Sequence, residues 1–223
     1  MKNIILLIRS YERPEYLETT LKSVLSSDID ICTKRYIYDD ASNDIDTTRL
    51  LSNKDYVNVK GKEFIVIKGR TNRGVKLSYV DALNYIKNYN NDEELLICTI
   101  DNDVIVKPNF ISVLMNEYTN AHNKYNTLNI LLTGFNPTNA HVNFIEDNGS
   151  YYRKESCGGV NFVFHIKFID FIIKQWDIQE DWGVIYEMIK QDMPICCLTN
   201  SVINHIGYHG VNSFGNPDLD SKF

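Results

Sequence analysis

Two acids one residue apart, Asp101 and Asp103, close the apolar run Leu95-Leu96-Ile97-Cys98-Thr99-Ile100. An apolar run of that length bounded by polar residues reads as a buried strand. The carboxyl ends of strands in an open α/β sheet face the ligand crevice. Carboxylates spaced Asp-x-Asp at such a mouth can hold a hard divalent cation through oxygen, and that cation can hold a diphosphate. Acids after a strand also cap helices or stand in solvent, and the pair alone does not separate these uses. A second acidic pair, Glu180-Asp181, stands before Trp182; a helix N-terminus would keep such an acid ionised, so capping competes there with acid–base work. His122, His141 and His165 have no metal-ligand spacing and read as surface or packing residues. Trp176 and Trp182 flank the second acidic pair. They could stack on a flat ligand face, although packing is the commoner use of large aromatics.

Composition narrows the partners. The 223 residues carry a net charge of -6 with Lys and Arg scattered, which argues against a nucleic acid partner, since phosphate backbones need clustered cations on one face. An acidic chain that binds an anionic nucleotide needs a cation between them. Five cysteines without C-x-x-C spacing read as buried thiols in a reducing compartment. The segment Ile4–Ile8 is too short for a signal-peptide core or a membrane span. A cytoplasmic protein with no membrane span is expected.

The elements that must position these acids alternate. Ile4–Ile8 suits a strand buried on both faces, and Pro14 sits where its missing N–H costs nothing, at the start of a helix marked by Leu17, Leu21, Val24 and Leu25. Tyr36–Tyr38 and Phe64–Ile67 read as strands, with a short helix over 45–51 between them and a polar connection over 53–62. Asn72-Arg73-Gly74 precedes a helix in which Tyr79, Ala82, Leu83 and Ile86 share one face. Pro108 restarts a helix, 130–133 is a strand, Asn148-Gly149 offers a hairpin turn, and Gly158-Gly159 opens a further strand to Phe164. The stretch 179–183 reads as a turn between two helices, and the last dozen residues as a polar tail. Strands alternating with helices in this rhythm make an α/β protein with a mixed, mostly parallel sheet flanked by helices.

Four loops then follow four strands in a fixed order: Ser10-Tyr11-Glu12-Arg13-Pro14, Asp39-Asp40-Ala41-Ser42, Asn72-Arg73-Gly74 and Asp101-Asn102-Asp103. That series resembles the family 2 glycosyltransferases, which have the Rossmann-like A-type nucleotide-diphospho-sugar transferase fold. The resemblance implies a single domain over 1–223, with 1–120 binding the nucleotide sugar, 121–210 binding the acceptor and 211–223 as the tail. It makes Asp40 the contact to the nucleotide base, with Arg9 and Tyr11 walling the same pocket, although Ala41 replaces the usual Gly. Asn72 and Gly74 would let backbone approach the nucleotide, and Arg73 or Lys76 could meet the diphosphate. Asn102 belongs to the donor-binding turn. Asp103 would ligate Mn²⁺ or Mg²⁺, Asp101 would meet the ribose or the metal, and a late histidine, His205 in preference to His209, would return to it. Asp181 is implied as the base that deprotonates the acceptor, with Glu180 in support.

The expected function is metal-dependent transfer of a sugar from a nucleotide-diphospho-sugar, a UDP-sugar by preference, to the hydroxyl of a glycan or glycoconjugate acceptor, with inversion. Two alternatives stand beside it. One is a degenerate transferase that binds nucleotide sugar or glycan without turnover. The other is a haloacid dehalogenase-like phosphatase, whose Asp-x-Asp normally lies on the first strand and not the fourth.

Overall fold

The computed structural model describes residues 3–207 and 223. His209 and the expected tail, Phe223 apart, lie outside the described residues.

Among the described residues strand β1 (Asn3–Ser10) is third from one edge of a nine-stranded sheet and pairs in parallel with β2 (Lys34–Asp39) and β4 (Leu95–Asp101). Strand β3 (Ile65–Lys68) extends β2 in parallel to one edge. Successive strand residues face opposite sides, and β1 obeys that rule closely. Ile4, Leu6 and Ile8 pack with Leu17, Leu21 and Val24 of α1 (Pro14–Leu25) and with Phe110 and Leu114 of α5 (Phe110–Tyr125). Ile5 and Leu7 face the other way, onto α4 (Gly74–Tyr89) and α6 (Ile169–Lys190). All five are fully buried, each stabilising by about 1.5–3 kcal/mol relative to an exposed position. The anticipated mixed α/β sheet between helical layers is thus what the chain forms.

Beyond β4 the strand directions mix. Strand β9 (Asn161–His165) lies antiparallel between β4 and β6 (Leu131–Thr133). Next come β10 (Ile195–Leu198), parallel to β6, and the β7 (Phe144–Asp147) and β8 (Tyr151–Lys154) hairpin, whose turn holds Gly149 at φ 80. The last piece is small and decisive for the site. Strand β5 (Val104–Val106) pairs antiparallel with β11 (Ile203–His205) in a separate two-stranded sheet.

Local details follow the sequence with two refinements. The polar connection over 53–62 contains a short helix, α3 (Lys54–Val57), whose first turn is capped by the Asn53 side chain. It follows α2 (Ile45–Ser52), where the Asp44 carboxylate accepts from the Thr47 N–H at 2.6 Å. The second lies in α6, where two helices meet at the expected turn and Gln179 and Glu180 are non-helical. Gly183 permits the break: a Cβ there would lie 2.2 Å from the Gln175 carbonyl oxygen, so the second half packs against the first without a side chain between. Among the described residues no helix is long and apolar enough to cross a membrane.

Candidate functional site

Arg9, the next-to-last residue of β1, is the hub of the strand ends. Register pairs it with Asp101 on β4, and the two side chains form an ion pair. Its Nη2 also donates to the Gly159 carbonyl at 2.9 Å. The guanidinium lies over the rings of Tyr79, at 4.5 Å, and Trp176, at 5.2 Å, a placement that favours a cation electrostatically. Burial would lower the Arg9 pKa, but the Asp101 charge, joined by Tyr79, the Asp101 hydrogen bond and Asp181, more than reverses this. For Asp101 itself, burial dominates and pushes its carboxyl up to about 6 despite Arg9, with Asp103 adding to the push. Asp101 is thus paired with Arg9 across the strand ends.

Asp103 gathers a different set. Its Oδ2 accepts from Arg13 Nη1 at 2.7 Å and stands 3.3 Å from His205 Nε2. Pairing of β5 with β11 sets His205 opposite Val104, one residue beyond Asp103, and Ile206 N–H donates to the Asp103 carbonyl at 2.8 Å. Burial would raise the Asp103 carboxyl, yet the hydrogen bond from His205 and the charge of Arg13 hold it below the ordinary carboxylate range. Its buried Oδ1 has no partner among the described residues. Such an acceptor costs about 1–3 kcal/mol and fits a cation. A Cβ on Gly207 would lie 2.1 Å from Asp103 Oδ2 and 2.6 Å from His205 Nε2, so only glycine fits over the pair. Two of the three expected ligands, Asp103 and His205, are therefore together. Among the described residues no cluster of three His, Cys, Asp or Glu side chains is assembled.

The second loop is built from two acids with separate duties. Asp39 accepts from the Ser42 backbone N–H at 3.0 Å and from its hydroxyl at 2.5 Å, closing its own turn. Glu12 N–H donates to Ser42 Oγ at 2.7 Å, which ties the first loop to the second. Asp40 accepts from the Arg73 N–H at 2.9 Å and the Gly74 N–H at 2.8 Å, so it holds the N-terminus of α4. Asp40 thus caps a helix, while Asp39 braces its own turn. Burial raises both carboxyls, and these N–H donors pull them back. Ala41 takes φ 59, so the turn keeps the left-handed conformation that the missing glycine would adopt freely. Tyr11 stands exposed on the first loop, and the Asn102 side chain donates to the Glu12 carbonyl at 3.2 Å. Asn72 accepts from the Gly74 N–H at 3.0 Å, Gly74 has φ 75, Arg73 is paired with Asp81, and Lys76 lies 4.0 Å from Asp177.

Glu180 and Asp181 occupy the break in α6. Glu180 has φ 52 and ψ -140, a region that L side chains rarely adopt and that stores strain at functional sites. Asp181 is half-buried. Its Oδ1 accepts from the Trp182 N–H at 2.9 Å, while its carboxylate lies against Gly159. Gly159 thus links the late acid to Arg9, whose guanidinium feels the Asp181 charge. The two tryptophans part company. Trp176 is buried against Tyr79 and Phe162 and is no sugar platform. Trp182 is 40% exposed and stacks with Tyr186, and His141, whose sequence context suggests packing, tilts over its ring at 5.8 Å.

Three residues of the site escape a reading of the sequence. Arg13 is visible there only as part of a loop, because its reach to Asp103 depends on left-handed backbone at Glu12 (φ 49) and Arg13 (φ 58). Gly159 and Gly207 carry no chemistry of their own, and the need for glycine appears only when the opposing carboxylates are in place.

The profile of glycosyl transferase family 2 matches residues 6–172. No curated protein matches the sequence. Among solved structures, the crystal structure of GalNAc-T7 with UDP, GalNAc and Mn²⁺ is similar, with a TM-score of 0.70 at 14% identity over 96% of this chain and 45% of that one. The chain spans less than half the length of that protein, and at such low identity the likeness speaks for the fold.

Proposed function

Since the chain belongs to glycosyl transferase family 2, we propose that it moves a sugar from a UDP-sugar to the hydroxyl of a glycan acceptor, in one displacement with inversion, and that it needs a divalent cation. It is a glycosyltransferase with the A-type fold, which displaces the phosphatase alternative. The observation that carries the finer reading is the bridge through Arg9. One guanidinium joins Asp101, at the end of β4, to Gly159, which lies against Asp181. Donor-side acids and a candidate base thereby share one surface.

Within this reading Asp103 and His205 would hold Mn²⁺ or Mg²⁺, a proposal supported by the unpartnered, buried Asp103 Oδ1 and by the Mn²⁺ and UDP of the GalNAc-T7 structure. A bound cation supplies neutralisation of the negative charge that develops on the leaving diphosphate. The chain's own residues do the rest. Asp40 and Tyr11 frame the uracil, and Asp101, fixed by Arg9, takes a ribose hydroxyl. The Asn72–Gly74 turn and Asn102 shape the donor pocket, with Arg73 and Lys76 at its rim. Asp181 takes the proton of the attacking hydroxyl as general base, held in line by the Trp182 N–H. Glu180 supports the acceptor, and the exposed Trp182 offers its sugar a flat apolar face. All five cysteines are buried free thiols, which supports a reducing, cytoplasmic location.

Two variants test the proposal together. Asp103→Ala should abolish Mn²⁺-dependent UDP binding measured by calorimetry. Asp181→Asn should keep that binding while transfer falls by about 10²–10⁴. Donor binding by the wild type with no transfer to any acceptor would favour the degenerate binding protein instead. Retained anomeric configuration in the product would overturn the single displacement.

A further inference from the structure

The ion pair between Arg13 and Asp103 is incomplete on both sides. Arg13 gives one Nη1 proton to Asp103 Oδ2 at 2.7 Å, yet among the described residues its buried Nε and Nη2 have no acceptor and the buried Asp103 Oδ1 has no donor. Buried polar groups are normally satisfied, so three unmet atoms around one contact mark what the contact is built to receive. Their needs are opposite: the guanidinium N–H groups call for an anion, and the carboxylate oxygen calls for a cation. Neither a lone cation nor a lone anion answers both. A diphosphate carrying a divalent cation does.

The backbone is shaped for this contact. Glu12 and Arg13, at φ 49 and φ 58, are consecutive non-glycine residues in the left-handed region. That unfavourable pair turns the Arg13 side chain inward, across the ring of Tyr16 at 4.3 Å and onto Asp103. Pro14 then fixes the start of α1 immediately behind it. A solvated arginine would need none of this, and Arg13 has no capping role, since its side chain makes no cap hydrogen bond.

We propose that Arg13 gates the site, with the guanidinium serving as a built-in cation on Asp103 that yields only when nucleotide diphosphate and metal arrive together. In the chain by itself Arg13 occupies Asp103 Oδ2 and offsets the carboxylate charge, so a divalent cation alone, offered only Oδ1, binds weakly. When the diphosphate enters, the free Nε and Nη2 protons of Arg13 gain phosphate acceptors and Asp103 is released. Arg13 is thus a positioning residue that couples the two ligands, and coupling of binding free energies is reciprocal. The inference rests on Asp103 being the metal-side acid.

Calorimetric titration of Mn²⁺, with and without UDP, tests the gate in the wild type, Arg13→Gln and Arg13→Lys, with melting curves to verify folding. Arg13→Gln should bind Mn²⁺ alone about tenfold more tightly and Mn²⁺–UDP about tenfold more weakly, so that most of the coupling disappears. Arg13→Lys keeps the charge but loses the planar fork. It should leave Mn²⁺ binding weak while also weakening UDP, and it keeps the test open if the Gln variant does not fold. Unchanged Mn²⁺ affinity and undiminished coupling in Arg13→Gln would overturn the gate while leaving the metal reading intact. If the wild type binds UDP no better with Mn²⁺ than without, the metal reading of Asp103 falls, and the gate with it.

Discussion

Gly159 and Asp181 are in contact: a Cβ added to Gly159 would lie 2.9 Å from Asp181 Oδ2 and 3.1 Å from its Cβ. The same glycine accepts from Arg9 through its carbonyl. A residue without a side chain therefore sets the distance between the donor-side cation and the candidate base.

Gly159→Ala should displace the Asp181 carboxylate without straining the backbone, since Gly159 is not among the positive-φ glycines. Transfer should fall by about 10²-fold, the cost of misplacing a reacting group by an ångström or so, while UDP binding stays close to wild type. Calorimetry and initial rates on one preparation measure both, and full activity would remove Gly159 as the spacer.

Trp182→Ala removes an exposed ring stacked on Tyr186 at 5.3 Å. If that face seats the acceptor, its KM should rise by roughly threefold to tenfold, as expected for a lost aromatic contact, with the donor KM unaffected. A change confined to the donor would relocate the acceptor.

Ala41→Gly should stabilise the fold. Ala41 is held at φ 59, where an L residue is strained by about 1–2 kcal/mol and glycine is not. Allowing for the greater chain entropy of glycine, a gain of about 0.5–1 kcal/mol in urea unfolding is expected. A loss would mean that the Ala41 methyl packs more usefully than its conformation costs.

His165 should make stability fall in acid. It is fully buried, its Nδ1 accepts from the Lys167 N–H at 3.2 Å, and Glu94 is 3.9 Å from its Nε2. Burial holds its pKa below the ordinary 6.5, with Glu94 opposing. The unfolded chain then binds the proton more readily. Stability is complete above about pH 6.5 and is lost as pH falls toward the folded-state value. His165→Gln should flatten that part of the curve in urea titrations at stepped pH, and an unchanged slope would assign it to other groups.

Much of the fold is legible in the amino-acid order alone. Helical spacing identifies the buried face of α4, since Tyr79, Ala82, Leu83 and Ile86 are its buried residues. Pro14 marks the start of α1, and Gly149 marks the β7–β8 turn. Those signals are local, and local periodicity survives folding. Pairings between distant segments leave no such mark. Val104–Val106 is too short a strand to read, yet its partnership with β11 is what brings His205 to Asp103. In the bare motif Asp101 looks equivalent to Asp103, but neighbouring strands give it Arg9. Trp176 and Trp182 look alike too, until the break in α6 buries one and exposes the other.

The antiparallel insertion of β9 between β4 and β6 also governs assembly. A chain emerging amino end first completes β1 to β4 while the outer edge of β4 still lacks its neighbour. Until residues 161–165 emerge, that edge is an open template for wrong pairing. Gly159 arrives just ahead of β9, so the contact that joins Arg9 to the Asp181 side cannot form earlier. A nascent chain could therefore align its β1–β4 acids well before it could catalyse transfer, since Asp181 on α6 and His205 on β11 both follow this five-residue strand in the chain.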